Sequence, residues 1–313
     1  MKIQYKEAFF NPDISWTQLI EGISIPDKLY KFQYFTSENG EENQYWKNNI
    51  RGEFHLSLGY EFEDANDCKP YICKSDVKSY FYDFLNEMNV DQEKMDSAIK
   101  QFEDCFDENA IQGIVHNYQE MIRIGCFTDS YQNDKMWEKY SNNHQGFCIE
   151  YDTKKSKLFS NSILPIVYTK ERYNMSFNYV NLMILELCRK GKNRSEEEQL
   201  QIYNDIYAKV MKTTYIPLFL KDEDKWSFER EYRMFILKNR NTPNGMLKMN
   251  EVLDKKNNID LSKAIKAIYL GRNFALNKNA DKVYEHILEI RDKNIDKFAI
   301  YKMNEYGIAE KQM

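Results

Sequence analysis

The chain has 313 residues, 42% of them hydrophobic and 30% charged, and a net charge of -5. A chain of this length buries roughly three quarters of the surface its unfolded form exposes, so a core forms without metals or disulfides. Its 23 Tyr and 19 Phe exclude global disorder, and the negative balance argues against broad binding to nucleic acid or anionic lipid, which needs clustered Lys and Arg. A small molecule, nucleotides included, or a protein is the expected partner.

The opening MKIQYKEAFFNPDISW lacks a secretory apolar stretch, and later runs are broken by charge or Pro before they reach membrane-span length. A cytoplasmic setting is expected. Cys68, Cys73, Cys105, Cys126, Cys148 and Cys188 are scattered, with no CxxC pair and no Cys/His zinc spacing. They read as reduced thiols, Cys68 and Cys73 of CKPYIC included.

No repeat, low-complexity tract or linker divides residues 1–313, so the organisation reads as a single globular domain with insertions. Strand-like runs fall at Lys28 to Phe35, Glu53 to Ser57, Ile124 to Thr128, Gly146 to Tyr151, Ile163 to Tyr168, Phe228 to Lys238, Ala264 to Leu270 and Lys297 to Tyr301. Helical periodicity covers Asp76 to Met88, Gln92 to Ile122 with a break near Asp107, Ser176 to Arg189, Ser195 to Lys212 and Asn279 to Asp292. The Ser-Glu-Glu-Glu that opens at Ser195 is a capping arrangement, with acids beside the positive end of the helix dipole. Strands toward both ends with long helices between them imply an α/β (α+β) fold: a mixed, mainly antiparallel sheet with helical insertions near 76–122 and 176–212. No glycine-rich phosphate loop is present.

The segment Lys225 to Leu237, KWSFEREYRMFIL, carries the most chemistry. Strand alternation puts Glu229, Glu231 and Arg233 on one face and Phe228, Tyr232, Met234 and Ile236 on the other. Two carboxylates and a guanidinium are not buried without partners, so the first face meets solvent, an ion-pair network or a polar cleft. In the cleft reading Glu229 and Glu231 are a catalytic pair: one stabilises a developing oxocarbenium cation and the other orients or deprotonates an acceptor. Trp226 or a nearby Tyr then stacks on the ligand, and Arg233 holds geometry or an anion. In the architectural reading the strand faces solvent with an internal Glu-Arg pair.

Between Ile124 and Asp152 the pattern is strand, loop, short helix, turn, strand. Met136, Trp137 and Tyr140 share a helix face, as core or as an aromatic wall, and Gly146 supplies a permissive turn. His144, in a polar turn, is the best-placed histidine for proton transfer. In Leu29 to Phe35, Tyr30, Phe32 and Tyr34 face one way and Lys31 the other, and Ser57 ends a strand before the acidic loop of Glu61, Glu63, Asp64 and Asp67. That loop lacks EF-hand spacing and glycine, so no metal site is assigned to it.

Leu29-Tyr30-Lys31-Phe32, Ser57 before Phe62, Cys126-Phe127-Thr128, Met136-Trp137, Tyr140, His144, Gly146, Trp226, Phe228-Glu229, Glu231, Arg233 and Ile268-Tyr269-Leu270-Gly271 follow one another in an order that resembles the family called domain of unknown function 2971, over about Leu29 to Phe274. This sequence has Phe62-Glu63-Asp64-Ala65 where that family shows Phe-Asn-Asp-Pro. The resemblance implies a compact α/β domain and a role in bacterial phage defence. A fold-level analogy to ADP-ribosyltransferases adds specific roles. By that analogy Glu231 stabilises the ribosyl cation of NAD, Glu229 positions the acceptor, Ser57 supports the site, and Tyr30 or Lys31 contacts the dinucleotide, although Lys31 or Tyr30 stands where Arg or His is expected. The expected function is a defence-associated effector with an ADP-ribosyltransferase-like carboxylate site lined by Trp137, Tyr140, Trp226 and Arg233, with NAD as co-substrate. Two other functions fit the same residues: a non-catalytic sensor or regulator whose aromatic residues frame a partner cleft, and a metal-dependent phosphodiesterase using Glu53, Asp64 and the Glu pair.

Overall fold

The computed structural model describes every residue except 1, 12, 13, 15, 38, 65, 191–196, 198–209, 211, 212, 238–252, 256, 257, 295 and 313. The capping sequence at Ser195 and most of the helix expected there lie outside the described residues. The fold is mixed α/β, and the chain divides into two compact units.

One unit comprises Met1–Glu21, Leu58–Ile122 and Thr169–Lys221. Its helices include Lys2–Phe10, Trp16–Glu21, Lys74–Glu87, Gln92–Cys105, Glu108–Glu120 and Ser176–Lys190. The break expected near Asp107 is a helix start: its carboxylate accepts from the Ala110 backbone N–H at 2.8 Å, satisfying a donor left open by the first turn. Edge-to-face and tilted aromatic contacts join Phe9, Trp16 and Phe219, and Phe81, Phe102, Phe106 and Tyr179 form a second chain of rings.

The other unit comprises Gly22–Ser57, Arg123–Tyr168 and Asp222–Met313 and holds most of the strand residues, all but Leu58, Ile122, Thr169, Leu220 and Lys221. In chain order the strands are β1 (Lys28–Gln33), β2 (Glu53–His55), β3 (Ser57–Leu58), β4 (Ile122–Thr128), β5 (Phe147–Asp152), β6 (Ile163–Pro165), β7 (Val167–Thr169), β8 (Leu220–Asp222), β9 (Glu231–Leu237), β10 (Asn258–Asp260), β11 (Ile265–Leu270), β12 (Ala299–Met303) and β13 (Ala309–Lys311). The main sheet runs β13-β12-β11-β5-β1-β4-β9-β6, with β3 on β4. Only β11 and β12 are parallel among the strand pairs whose register is described, and the helix Ala280–Lys293 connects them, as a parallel crossover requires. The mainly antiparallel character expected from the sequence holds.

Strand alternation sorts the side chains into two layers. Leu29, Phe147, Ile149, Tyr151, Met234, Ile236, Ile268 and Ile300 pack into the larger core. Tyr30, Phe32, Cys148, Ala267, Tyr269 and Met303 enter a second cluster with Met136 and Trp137, both from the helix Asp134–Tyr140. Both faces of β5 are therefore covered, which is why all of Phe147 to Tyr151 is buried. Gly146, read from sequence as a permissive turn, serves instead as a close approach: a Cβ there would stand 2.0 Å from the Gln33 carbonyl oxygen. The left-handed residues are Asn142, Asn143 and His144, shortly before it, with φ of 49°, 52° and 65°.

Candidate active site

The charged residues of β9 face the same side as Phe235, opposite Met234 and Ile236, as a period of two requires. They meet each other. Arg233 Nε donates to Glu231 Oε1 at 2.8 Å and Nη2 to Oε2 at 3.2 Å, with Arg233 0% and Glu231 3% exposed. Of the three environments open to this face, the structure realises the ion-pair network, in a buried two-pronged form that only a guanidinium can make. The backbone holds the strand's first residue as well: the Glu231 N–H donates to the Tyr168 hydroxyl at 2.8 Å, and the Ile166 N–H donates to the Glu231 carbonyl at 2.9 Å.

Glu229 does not continue this strand. Ser227–Glu229 form a 3-10 turn, and Arg230, at φ 44° and ψ 49°, reverses the backbone before β9 begins. The expected shared face of Glu229, Glu231 and Arg233 is thus corrected to two separate placements, because a left-handed residue between the two acids breaks the alternation. Phe228 is corrected likewise: it packs against the cluster of Tyr30 and Trp137, not beside Met234. The Glu229 carboxylate is also buried, and its Oε1 accepts the Tyr140 hydroxyl. Arg230 ion-pairs with Asp129.

The helix Asp134–Tyr140 and the turn before β9 form one assembly. Asn133 caps the helix through the Met136 N–H at 3.4 Å while its amide donates to the Phe228 carbonyl at 2.5 Å. The Lys139 ammonium lies 4.8 Å from the Trp226 ring centroid, and Lys135 lies 5.7 Å from that of Phe228. Trp226 and Tyr140 are half-buried, giving a cation-capped aromatic ledge beside Glu229. Trp137 is inside, edge-on to Phe32 at 4.9 Å, with its indole N–H on the Tyr131 carbonyl at 2.7 Å.

The other residues singled out from sequence are dispersed. Lys31 is on the opposite face from Tyr30, 5.6 Å from the Phe54 ring centroid. Ser57 sits on the two-residue β3 and makes no side-chain hydrogen bond to a described residue. In the acidic loop Glu61 accepts from the Leu58 N–H at 2.8 Å and Asp64 from the Asn66 N–H at 3.0 Å, while buried Asp67 pairs with Lys221 at 3.5 Å. Among the described residues no group of three or more His, Cys, Asp or Glu is arranged to hold a metal ion. Cys68, Cys73, Cys105, Cys126 and Cys148 form no disulfide with a described residue.

Tyr30 belongs to a constellation that the sequence does not announce. It stands opposite Glu150 on β5 and Thr128 on β4, a polar row across three neighbouring strands. Glu150 is 1% exposed; the Tyr269 hydroxyl donates to its Oε2 at 2.6 Å and Lys28 Nζ is 3.0 Å from its Oε1. Burial first, and then the Glu150 carboxylate, push both the Tyr30 and Tyr269 phenols above their usual range. The Thr128 hydroxyl oxygen is buried with no hydrogen bond to a described residue. The signal in the sequence is the acid set inside the apolar run of FCIEYD, Glu150, since such a residue demands partners.

His144 is 3% exposed and stacks on Trp137 at 5.7 Å with an 11° interplanar angle. Burial, then Arg272, hold its imidazole below the usual histidine range, against the opposing carboxylates of Asp134 and Glu138.

Residues 136–234 match the family described as Protein of unknown function (DUF2971). The matched span is narrower than the 29–274 read from motif order, and it contains Tyr140, Glu229, Glu231 and Arg233 up to residue 234 of β9. No curated protein and no solved structure matches the chain.

Proposed function

We propose that the protein is a group-transfer enzyme with an ADP-ribosyltransferase-like carboxylate site, using NAD as co-substrate and serving in bacterial phage defence. The observation that carries this reading is a pair of buried acids two residues apart, each fixed by a different partner: Glu231 by Arg233, and Glu229 by Tyr140 beside the Trp226 ledge. A carboxylate fixed in advance of the reaction stabilises a developing positive centre without reorganising, the main contribution a protein makes to such a step. In this scheme Glu231 faces the sugar cation, Glu229 orients the acceptor through its bond with Tyr140, and Trp226 offers a planar surface to a base. The defence setting follows from the family resemblance.

Incubation with NAD labelled in its adenylate half, with nicotinamide release and label transfer both followed, tests this. Wild type is expected to release nicotinamide and Glu231→Gln to be silent while keeping a folded melting profile. Absence of NAD turnover, with Glu231→Gln and wild type equally active in a cell-toxicity assay, sinks it.

A second reading, a non-catalytic sensor, is favoured by Arg233, which already neutralises Glu231. It expects biological activity to survive Glu229→Gln and to be lost in Trp226→Ala.

A further inference from the structure

Tyr269 on β11 is the ring shared by two nearly parallel stacks within one unit. Tyr301 stands in register with it on β12, with ring centroids 5.0 Å apart at 14°. Tyr131, from the segment after β4, lies 4.3 Å away, also at 14°. Tyr269 is 6% exposed, whereas Tyr131 and Tyr301 are half-buried and reach solvent. Tyr30 contacts Tyr131 and Tyr269 but is turned 57° from the first and 66° from the second, so it stands outside the stack.

Stacking accounts for the rings as ordinary packing. It does not account for Glu150, a carboxylate 1% exposed on the β5 face that also carries Cys148. Burying a charge there is costlier than burying an apolar side chain of similar size. The acid is bonded to the shared ring: the Tyr269 hydroxyl donates to Oε2 at 2.6 Å, while the ammonium of exposed Lys28 lies 3.0 Å from Oε1. A proton acceptor thus sits on the buried phenol that both solvent-reaching rings contact.

A phenol gives up an electron readily only when its proton leaves too, because an oxidised phenol that keeps its proton is a very strong acid. Glu150 can take that proton along a hydrogen bond already made. The charge of the Tyr269–Glu150 pair then passes from negative to neutral, and burial favours the neutral product. We infer that Tyr131, Tyr269 and Tyr301 form a one-electron relay that draws an oxidising hit at the surface onto Tyr269, with Glu150 taking the phenol proton. In the balanced step the Tyr269 O–H breaks and a new O–H forms on Glu150 Oε2. The electron passes through the Tyr131 or Tyr301 ring to a one-electron oxidant, such as a carbonate radical, which is reduced. A one-electron reductant at the same surface reverses each of these changes. The relay uses neither Glu229 nor Glu231, so it stands or falls independently of the transferase reading.

Photogenerated tris(bipyridine)ruthenium(III), a one-electron oxidant, applied to the full-length protein tests the inference, with phenoxyl followed by transient absorbance and high-field electron paramagnetic resonance. Wild type is expected to give a long-lived phenoxyl whose oxygen accepts an exchangeable hydrogen bond, from the proton now on Glu150. Tyr269→Phe keeps the ring and is expected to lose that species. Glu150→Gln keeps the shape without the base and is expected to lower the yield about tenfold or more, the worth of a hydrogen bond to a charged group. Tyr306→Phe, which removes a 79% exposed phenol, should leave the yield unchanged. Absence of a long-lived phenoxyl in wild type, a yield unaltered in Tyr269→Phe or Glu150→Gln, or its loss in Tyr306→Phe overturns the inference. Should a variant fail to fold, the wild-type spectrum decides alone: a phenoxyl oxygen with no exchangeable hydrogen bond overturns it.

Discussion

The Tyr140 hydroxyl donates to Glu229 Oε1 and so ties the end of the helix Asp134–Tyr140 to the turn that precedes β9. Because the acceptor is buried, the bond helps to set the position of one acid of the proposed pair and gives one of its oxygens a donor. Tyr140→Phe keeps the ring and removes the donor. It is expected to cost about 1.5–3 kcal/mol, the range for a hydrogen bond to a charged group, read as a lower urea midpoint at unchanged slope.

Arg233→Met takes its two-pronged partner from the buried Glu231 carboxylate, and a loss of about 3–5 kcal/mol is expected. Replacing both residues, Glu231→Leu with Arg233→Met, removes the buried carboxylate as well, so the double variant should be more stable than Arg233→Met alone. Denaturant unfolding of the single and double variants beside wild type checks the order.

Alkaline pH should unfold the protein through its buried phenols. Burial, and then Glu150, raise Tyr30 and Tyr269 in the folded state, so above the ordinary phenol value of about 10 the unfolded chain releases protons that the folded chain retains. Their stabilising contribution is complete below that value and declines as pH rises beyond it. Exposed phenols such as Tyr306 ionise first, and the remaining tyrosinate absorbance should therefore grow in step with the loss of far-ultraviolet dichroism. Full ionisation with secondary structure intact would contradict this.

On the acid side His144 acts with the opposite sign. Its folded value is depressed by burial and Arg272, so below the usual histidine range of about 6.5 the unfolded chain takes up a proton the folded chain resists, and stability falls with pH. His144→Asn suits the left-handed backbone at φ 65° and lacks the titrating ring. Its unfolding free energy should fall less steeply between about pH 6.5 and 5 than that of wild type.

The parts of the fold legible in sequence were those encoded within one element. The start at Asp107 was readable because a carboxylate before a helix has one obvious partner, its own first turn. The apolar core strands were readable from residue type, and so was the polar side of β9, where Glu231 and Arg233 stand two apart on a single strand. The partners of Glu229 and Glu150 were not, because they arrive from 89 and 119 residues away and depend on strand order. Arg230 misled the pattern outright: nothing in an Arg between two Glu announces a left-handed backbone, yet that one residue takes Glu229 off the strand.

β5 has β1 on one side and β11 on the other. During synthesis the first neighbour is made long before it and the second, Ile265–Leu270, more than a hundred residues after it. Throughout that interval Phe147, Cys148 and Ile149 present a bare edge of backbone donors and acceptors flanked by apolar side chains, the kind of border on which other chains assemble. A ribosome halted, or a chain cleaved, before β11 emerges would leave a product prone to clump, so the late strand shields the nascent polypeptide as well as completing the sheet.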